Sequence, residues 1–182
     1  MSKRNVVITG LGFITSIGND RETVADSLIN LKNGIEVYKQ FDDPKIPAKC
    51  VGTIKNFDTE SCDPEDWTYP SEYRVRRDVL RGFAPHCLYA YCAMEQAIKD
   101  ANLSPAEISN IMTGMYTASA GSSGMLYHHM QKMDKVGALR SFPFAIVCSI
   151  VGTLSFNLVS AYKIKGASCG FASACASSAH AM

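Results

Sequence analysis

Apolar and polar positions fall along this chain in blocks that predict strands and helices in turn. Asn5 to Gly12 (Asn-Val-Val-Ile-Thr-Gly-Leu-Gly) is a short β-branched run closed by glycines, the pattern of a buried strand. Asn19-Asp20 offers an N-cap. Arg21 to Leu31 follows as a helix with Val24, Leu28 and Leu31 on one side, ended by Lys32-Asn33-Gly34. Residues 35 to 84 keep no period and are punctuated by Asp42-Asp43-Pro44, Pro47, Asp63-Pro64 and Pro70; Trp67 reads as local packing. Pro85 opens a strong helix, because Cys87, Tyr91, Met94, Ile98 and Ala101 recur every three or four residues, the stripe of a helix laid on a sheet. Ser104-Pro105-Ala106-Glu107 is a capping box with proline at the first helical position. Ile111 to Ala118 reads as a strand, followed by a loop of small residues from Ser119 to Gly124.

Ser141 to Tyr162 holds no charged residue and is long enough to span a bilayer. Pro143, Ser149, Gly152, Thr153, Ser155, Asn157 and Ser160 lie inside it, so we read one buried or interface helix and no membrane span. Lys163-Ile164-Lys165-Gly166 ends that helix. Ala167 to Ala174 is then a short strand of small residues that runs directly into Cys175. Strand, helix, helix, strand, helix, strand and the start of a helix is the alternation of an α/β layered fold.

Composition narrows the functions open to such a fold. The 182 residues are 47% hydrophobic and 19% charged, which excludes a disordered tail. Lysine plus arginine number 18 against 17 acidic residues, so no general pull on nucleic acid or an anionic membrane is expected. The seven cysteines form no Cys-x-x-Cys pair, which argues against a disulfide framework or zinc ribbon and for a reducing, cytoplasmic setting. Val6-Val7-Ile8 is too short for a signal-peptide core.

Several motifs fail on inspection. Gly10-x-Gly12 lacks the third glycine of a dinucleotide fingerprint, since Thr15 stands there. The loop at 119 to 124 lacks the Lys-Ser/Thr ending of a phosphate-binding loop. His86, Cys87 and Cys92 follow the helical period of core packing more than any metal spacing, and His128-His129 read as surface or interface residues. Arg74-Val75-Arg76-Arg77 reads as a solvated or salt-bridged run, with a docking patch for an acidic partner as the alternative. No metal and no cofactor is expected.

Cys175 stands apart by position. Small residues flank it where a strand becomes a helix, and the other six cysteines sit in contexts that packing explains. Backbone N–H groups left unpaired at a helix start favour a thiolate and can hold an oxyanion. By position alone, a structural cysteine and a nucleophile both remain open.

The segment Phe171-Ala172-Ser173-Ala174-Cys175-Ala176-Ser177-Ser178-Ala179-His180 resembles the nucleophile motif of the β-ketoacyl-acyl-carrier-protein synthases, the condensing enzymes of fatty acid and polyketide synthesis. Val6 to Gly12 with Gly18, Ala93 to Ala101 with Leu103-Ser104-Pro105, and Tyr162 to Gly166 resemble the family in order and spacing, and the elongating type most. The resemblance implies a thiolase-like α/β fold of two similar halves, of which residues 1–182 would be the N-terminal half, in a homodimer or with a completing second half. It also implies acyl transfer from acyl carrier protein to Cys175, then decarboxylative condensation with malonyl carrier protein, without metal or cofactor.

The family's catalytic histidines and lysine belong to a second half, so the fragment alone is expected to be inactive. His180, five residues past Cys175 and about 140° round a helix, is expected to point elsewhere. The alternatives are another thiolase-fold acyltransferase or a non-catalytic partner subunit like a chain-length factor; Cys175 argues against the latter.

Overall fold

The computed structural model describes residues 5–141 and 144–182. Its helices, in chain order, are α1 (Arg21–Ile29), α2 (Arg77–Leu80), α3 (Pro85–Asp100), α4 (Pro105–Ile108), α5 (Ser123–Val136), α6 (Ala145–Ser149), α7 (Thr153–Tyr162) and α8 (Ser177–Ala181). Its strands are β1 (Ile35–Val37), β2 (Cys50–Gly52), β3 (Met115–Ala118) and β4 (Ser168–Phe171). The chain forms two units, one running to Phe57 and including Cys92–Asn102, the other made of Asp58–Tyr91 and Leu103–Met182.

In the first unit α1 starts at the predicted cap: the Thr23 N–H donates to Asp20 Oδ1 at 2.7 Å. It stops short of the predicted end, at left-handed Leu31 (φ 52°). Only Val24 of its expected apolar side is buried, together with Ser27, whose hydroxyl donates to the Ile17 carbonyl at 2.7 Å. Leu28 and Leu31 are exposed. Strands β1 and β2 pair antiparallel, Glu36 opposite Val51.

The strand predicted over Asn5 to Gly12 does not form, and Val6, Val7 and Ile8 are 98%, 71% and 79% exposed. A strand needs a neighbour for its backbone groups. Here side chains of α3 take that place further along: the Leu11 N–H donates to Asp100 Oδ2 and the Phe13 N–H to Gln96 Oε1, each at 3.0 Å. Gly12 lies so close to α3 that an added Cβ would sit 1.9 Å from the Ala93 carbonyl oxygen. The later part of this segment, Gly10 to Phe13, lies on the predicted helix.

In the second unit β3 and β4 pair in parallel, Met115 opposite Ser168 and Ala118 opposite Phe171. Helices α7 and α8 pack against both strands, and α5 packs against α6. Phe83, Ala84, Cys87, Leu88 and Cys148 are wholly buried. Of the stripe predicted on α3, Cys87 is buried and Tyr91 is only half-buried, stacked on Tyr162 with centroids 5.4 Å apart. The α4 capping box forms as expected, Ser104 and Glu107 each accepting the other's backbone N–H.

Two expectations in this unit need correction. The uncharged stretch is two helices, α6 and α7, parted at Ile150, whose ψ of 154° is extended. Hydroxyls compete for the backbone at the break: Ser149 Oγ donates to the Ile146 carbonyl at 2.6 Å, and Thr153 Oγ1 donates to the Val147 carbonyl. Pro143 lies outside the described residues. No described helix is long and apolar enough to cross a membrane. Residues 123–136, given no element above, form α5, capped by Ser122. His129 and Met125, one turn apart, face inward there, so of the two histidines only His128 is a surface residue.

Candidate active site

The chain leaves β4 through Ala172 and Ser173 and turns sharply. Ala174 is left-handed (φ 49°), a conformation that a side chain with a Cβ disfavours. A single tight turn, Ala174–Ala176, carries Cys175, and α8 begins only at Ser177. The predicted strand-to-helix position of Cys175 is thus observed, with one turn interposed. That turn also changes the expected supply of free N–H groups, because the Ala176 N–H donates to the Ser173 carbonyl at 3.1 Å.

Polar bonds close the turn. The Ser173 N–H donates to Ser177 Oγ at 2.8 Å, and the Ser177 hydroxyl donates to the Ala174 carbonyl at 2.7 Å. Ser173 Oγ and His180 Nδ1 share a hydrogen bond of 2.8 Å. The His180 ring stands edge-on to Phe171 with centroids 6.2 Å apart. The 140° phase assumed a helix running from Cys175, whereas α8 starts at Ser177; His180 Nδ1 is engaged with Ser173 at the base of the turn. Sequence reasoning assigned Ser173, Ser177 and His180 no role in holding the turn, although hydroxyls just past a strand end are a readable source of such bonds.

Exposure does not single out Cys175. Cys50, Cys62, Cys169 and Cys175 are all exposed, which corrects the expectation that packing explains the other six. Cys87, Cys92 and Cys148 are buried. Burial pushes the Cys87 thiol up and the Cys148 thiol to about 11, away from the thiolate that nucleophilic chemistry needs. Asn157 Nδ2 approaches Cys87 Sγ at 3.7 Å, and burial lowers the His86 imidazole, favouring its neutral form. Among the described residues no three His, Cys, Asp or Glu side chains are placed to hold a metal ion.

A cavity of about 850 Å³ opens in the second unit beside α6 and α7, lined by Arg81, Tyr91, Val147, Cys148, Phe156 and Asn157 among others. Neither Cys175 nor any residue of α8 lines it. Of the basic run, Arg76 lines the cavity, and Arg76 and Arg77 are ion-paired. Arg76 pairs with Asp78, and Arg77 and Arg81 both pair with Glu65, whose carboxyl their hydrogen bonds hold down at about 2. Trp67 is buried and donates from Nε1 to the Ser61 carbonyl at 2.7 Å.

In this α/β unit a thiol is set on the turn behind a parallel strand, and known proteins share the chain's family and fold. The chain belongs to the family described as beta-ketoacyl synthase, N-terminal domain, whose model matches residues 3–182. It is 35% identical over 181 residues to 3-oxoacyl-acyl-carrier-protein synthase 1 of Haemophilus influenzae, covering 97% of this chain and 41% of that protein. The chain thus spans less than half the length of this relative. The crystal structure of a beta-ketoacyl synthase from Burkholderia phymatum matches with a TM-score of 0.75 at 22% identity, over 96% of this chain and 40% of that one. A ketosynthase solved in complex with a type II polyketide synthase acyl-carrier protein matches with a TM-score of 0.68 at 18% identity, over 96% of this chain and 43% of that one. The fold is therefore the thiolase-like α/β fold of the ketosynthases, over the portion that corresponds to their N-terminal half.

Proposed function

We propose that residues 1–182 are the nucleophile-bearing half of a β-ketoacyl-acyl-carrier-protein synthase, with Cys175 as the nucleophile. The observation that carries this reading is the exposed Cys175 on its own turn behind β4, at the family's motif, while burial pushes the Cys87 and Cys148 thiols away from ionisation. In the first step the Cys175 sulfur attacks the thioester carbonyl of an acyl carrier protein. The new carbon–sulfur bond forms as the old one breaks, and the carrier's thiol leaves with the proton. In the second step malonyl carrier protein loses CO₂. The resulting enolate attacks the acyl-cysteine carbonyl, a carbon–carbon bond forms, and the cysteine thiolate is released.

Stabilising that enolate requires donors this reading assigns to two histidines and a lysine in a second half, because His180 is held by Ser173. Acyl carrier protein is the partner the reading expects, and a fold neighbour crystallised with such a protein supports it. Exposed Phe144, Ile146, Ile150 and Phe156 on and around α6 and α7 support an apolar face covered by a completing half or a second copy. The spread of seven cysteines without a Cys-x-x-Cys pair supports a reducing, cytoplasmic setting.

The test is incubation with acyl carrier protein bearing an acyl group, followed by peptide mass spectrometry. Acyl mass on the Cys175 peptide, absent in Cys175→Ala, is the expected result. Acylation of another cysteine, or none, overturns the reading. Condensation by the chain alone, without a second half in trans, overturns the assignment of the second step.

A further inference from the structure

Resting on the reading of Cys175 as nucleophile, we propose that Ser177 and His180 are positioning residues that hold its turn in the presenting conformation. Left-handed Ala174 is a backbone state that must be held in place by its surroundings. Three bonds do so, and all of them bridge from the end of β4 to α8 across Cys175 without using its thiol. The Ser177 hydroxyl accepts the Ser173 N–H at 2.8 Å and donates to the Ala174 carbonyl at 2.7 Å. Only a side chain that is donor and acceptor at one atom can make both bonds, and Ser177 is buried, so water does not replace it freely. His180 adds the third through Nδ1, the ring nitrogen nearer its own backbone, to Ser173 Oγ at 2.8 Å, with its ring braced on Phe171. The backbone on both sides of Cys175 is thereby fixed while the sulfur stays exposed. A nucleophile so held meets its carbonyl without first ordering its own turn.

The chemistry of the two residues sets the test. Threonine at 177 keeps the hydroxyl and alanine removes it. Asparagine at 180 keeps a polar atom near the place of Nδ1, whereas glutamine carries its amide further out. In the full chain, the rate of acyl transfer from acyl carrier protein to Cys175 is compared with iodoacetamide labelling of Cys169 in the same sample, which reports the integrity of β4. Ser177→Ala, which removes two part-buried hydrogen bonds, should slow acylation about fivefold or more, and His180→Gln, which removes one exposed bond, about twofold or more. Ser177→Thr and His180→Asn should restore most of the rate, and Cys169 labelling should not change. His180 lies on the surface, so its variants test the role even if Ser177→Ala unfolds the chain. Wild-type rates in both His180→Gln and Ser177→Ala, or equal losses in all four variants, overturn the positioning role. A wild-type chain that takes no acyl group on Cys175 overturns the nucleophile reading itself and this role with it.

Discussion

The turn from Ser173 to His180 and the interior around Phe83, Cys87 and Cys148 lie in one unit, and both contain cysteine sulfur used in opposite ways. In the interior the sulfurs fill space: Cys87 and Cys148 have no exposed surface, and burial raises both thiols. At the turn the neighbours of Cys175 are small, the sulfur is exposed, and the polar atoms nearby hold the backbone in place of the thiol. The lesson is that the residue type does not decide between burial and exposure. The backbone around it does, and here that backbone is a left-handed alanine tied by a buried serine.

The largest effect should come from removing the exposed sulfur. Cys175→Ala should bring acyl transfer below detection and leave the melting temperature close to wild type, since little packing is lost; a residual acyl-enzyme in that variant would break the contrast. Next comes the order of modification. A thiol at about 11 is ionised to about one part in a thousand at pH 8, so Cys148 should react with iodoacetamide only once the chain is unfolded, and Cys175 well before it. Modification of Cys87 or Cys148 ahead of Cys175 would reverse the assignment.

The interior should answer most strongly to lost volume. Leu88→Ala, at a wholly buried site, should cost about 2–5 kcal/mol in denaturant melts, while the same measurement on Cys175→Ala shows almost nothing. Equal costs at both sites would mean that the turn is packed like the core. The smallest effect belongs to Glu65. Its carboxyl sits at about 2 in the folded chain against an ordinary 4.5, so its stabilising contribution is complete above about pH 4.5 and lost as pH falls through 2. The melting-temperature gap between wild type and Glu65→Gln should be small, because the ion pairs are exposed, and should close between those pH values. A gap that widens on acidification would contradict the network.

What could be read in advance follows from how local each signal is. The Asp20 and Ser104 caps, the start of α3 at Pro85 and the helix end at Lys163 depend on atoms a few residues apart, and all appear where expected. The place of Cys175 behind β4 was legible for the same reason. Val6 to Ile8 carries as strong a strand pattern as Met115 to Ala118, yet only the latter meets a partner, Ser168–Phe171. That outcome depends on the other strand, which no window around the segment contains. The break at Ile150 escaped because serine and threonine hydroxyls compete for helix carbonyls, which an apolarity pattern does not register. The hold of Ser177 and His180 on the turn escaped because it exists only once Ala174 has adopted its left-handed state.

The parallel pairing of β3 with β4 has a consequence in time. Parallel strands cannot be joined by a hairpin, and α5, α6 and α7 intervene between Met115 and its partner Ser168. During synthesis, β3 leaves the ribosome with its edge open and waits for three helices before its neighbour arrives. Closing so long a loop is slow, and the open edge is a site for wrong pairing until it closes. The turn that carries Cys175 follows directly on β4, so its anchor on the sheet forms only once that pairing has closed. The thiol is thus set in place after the layer that carries it has been laid down.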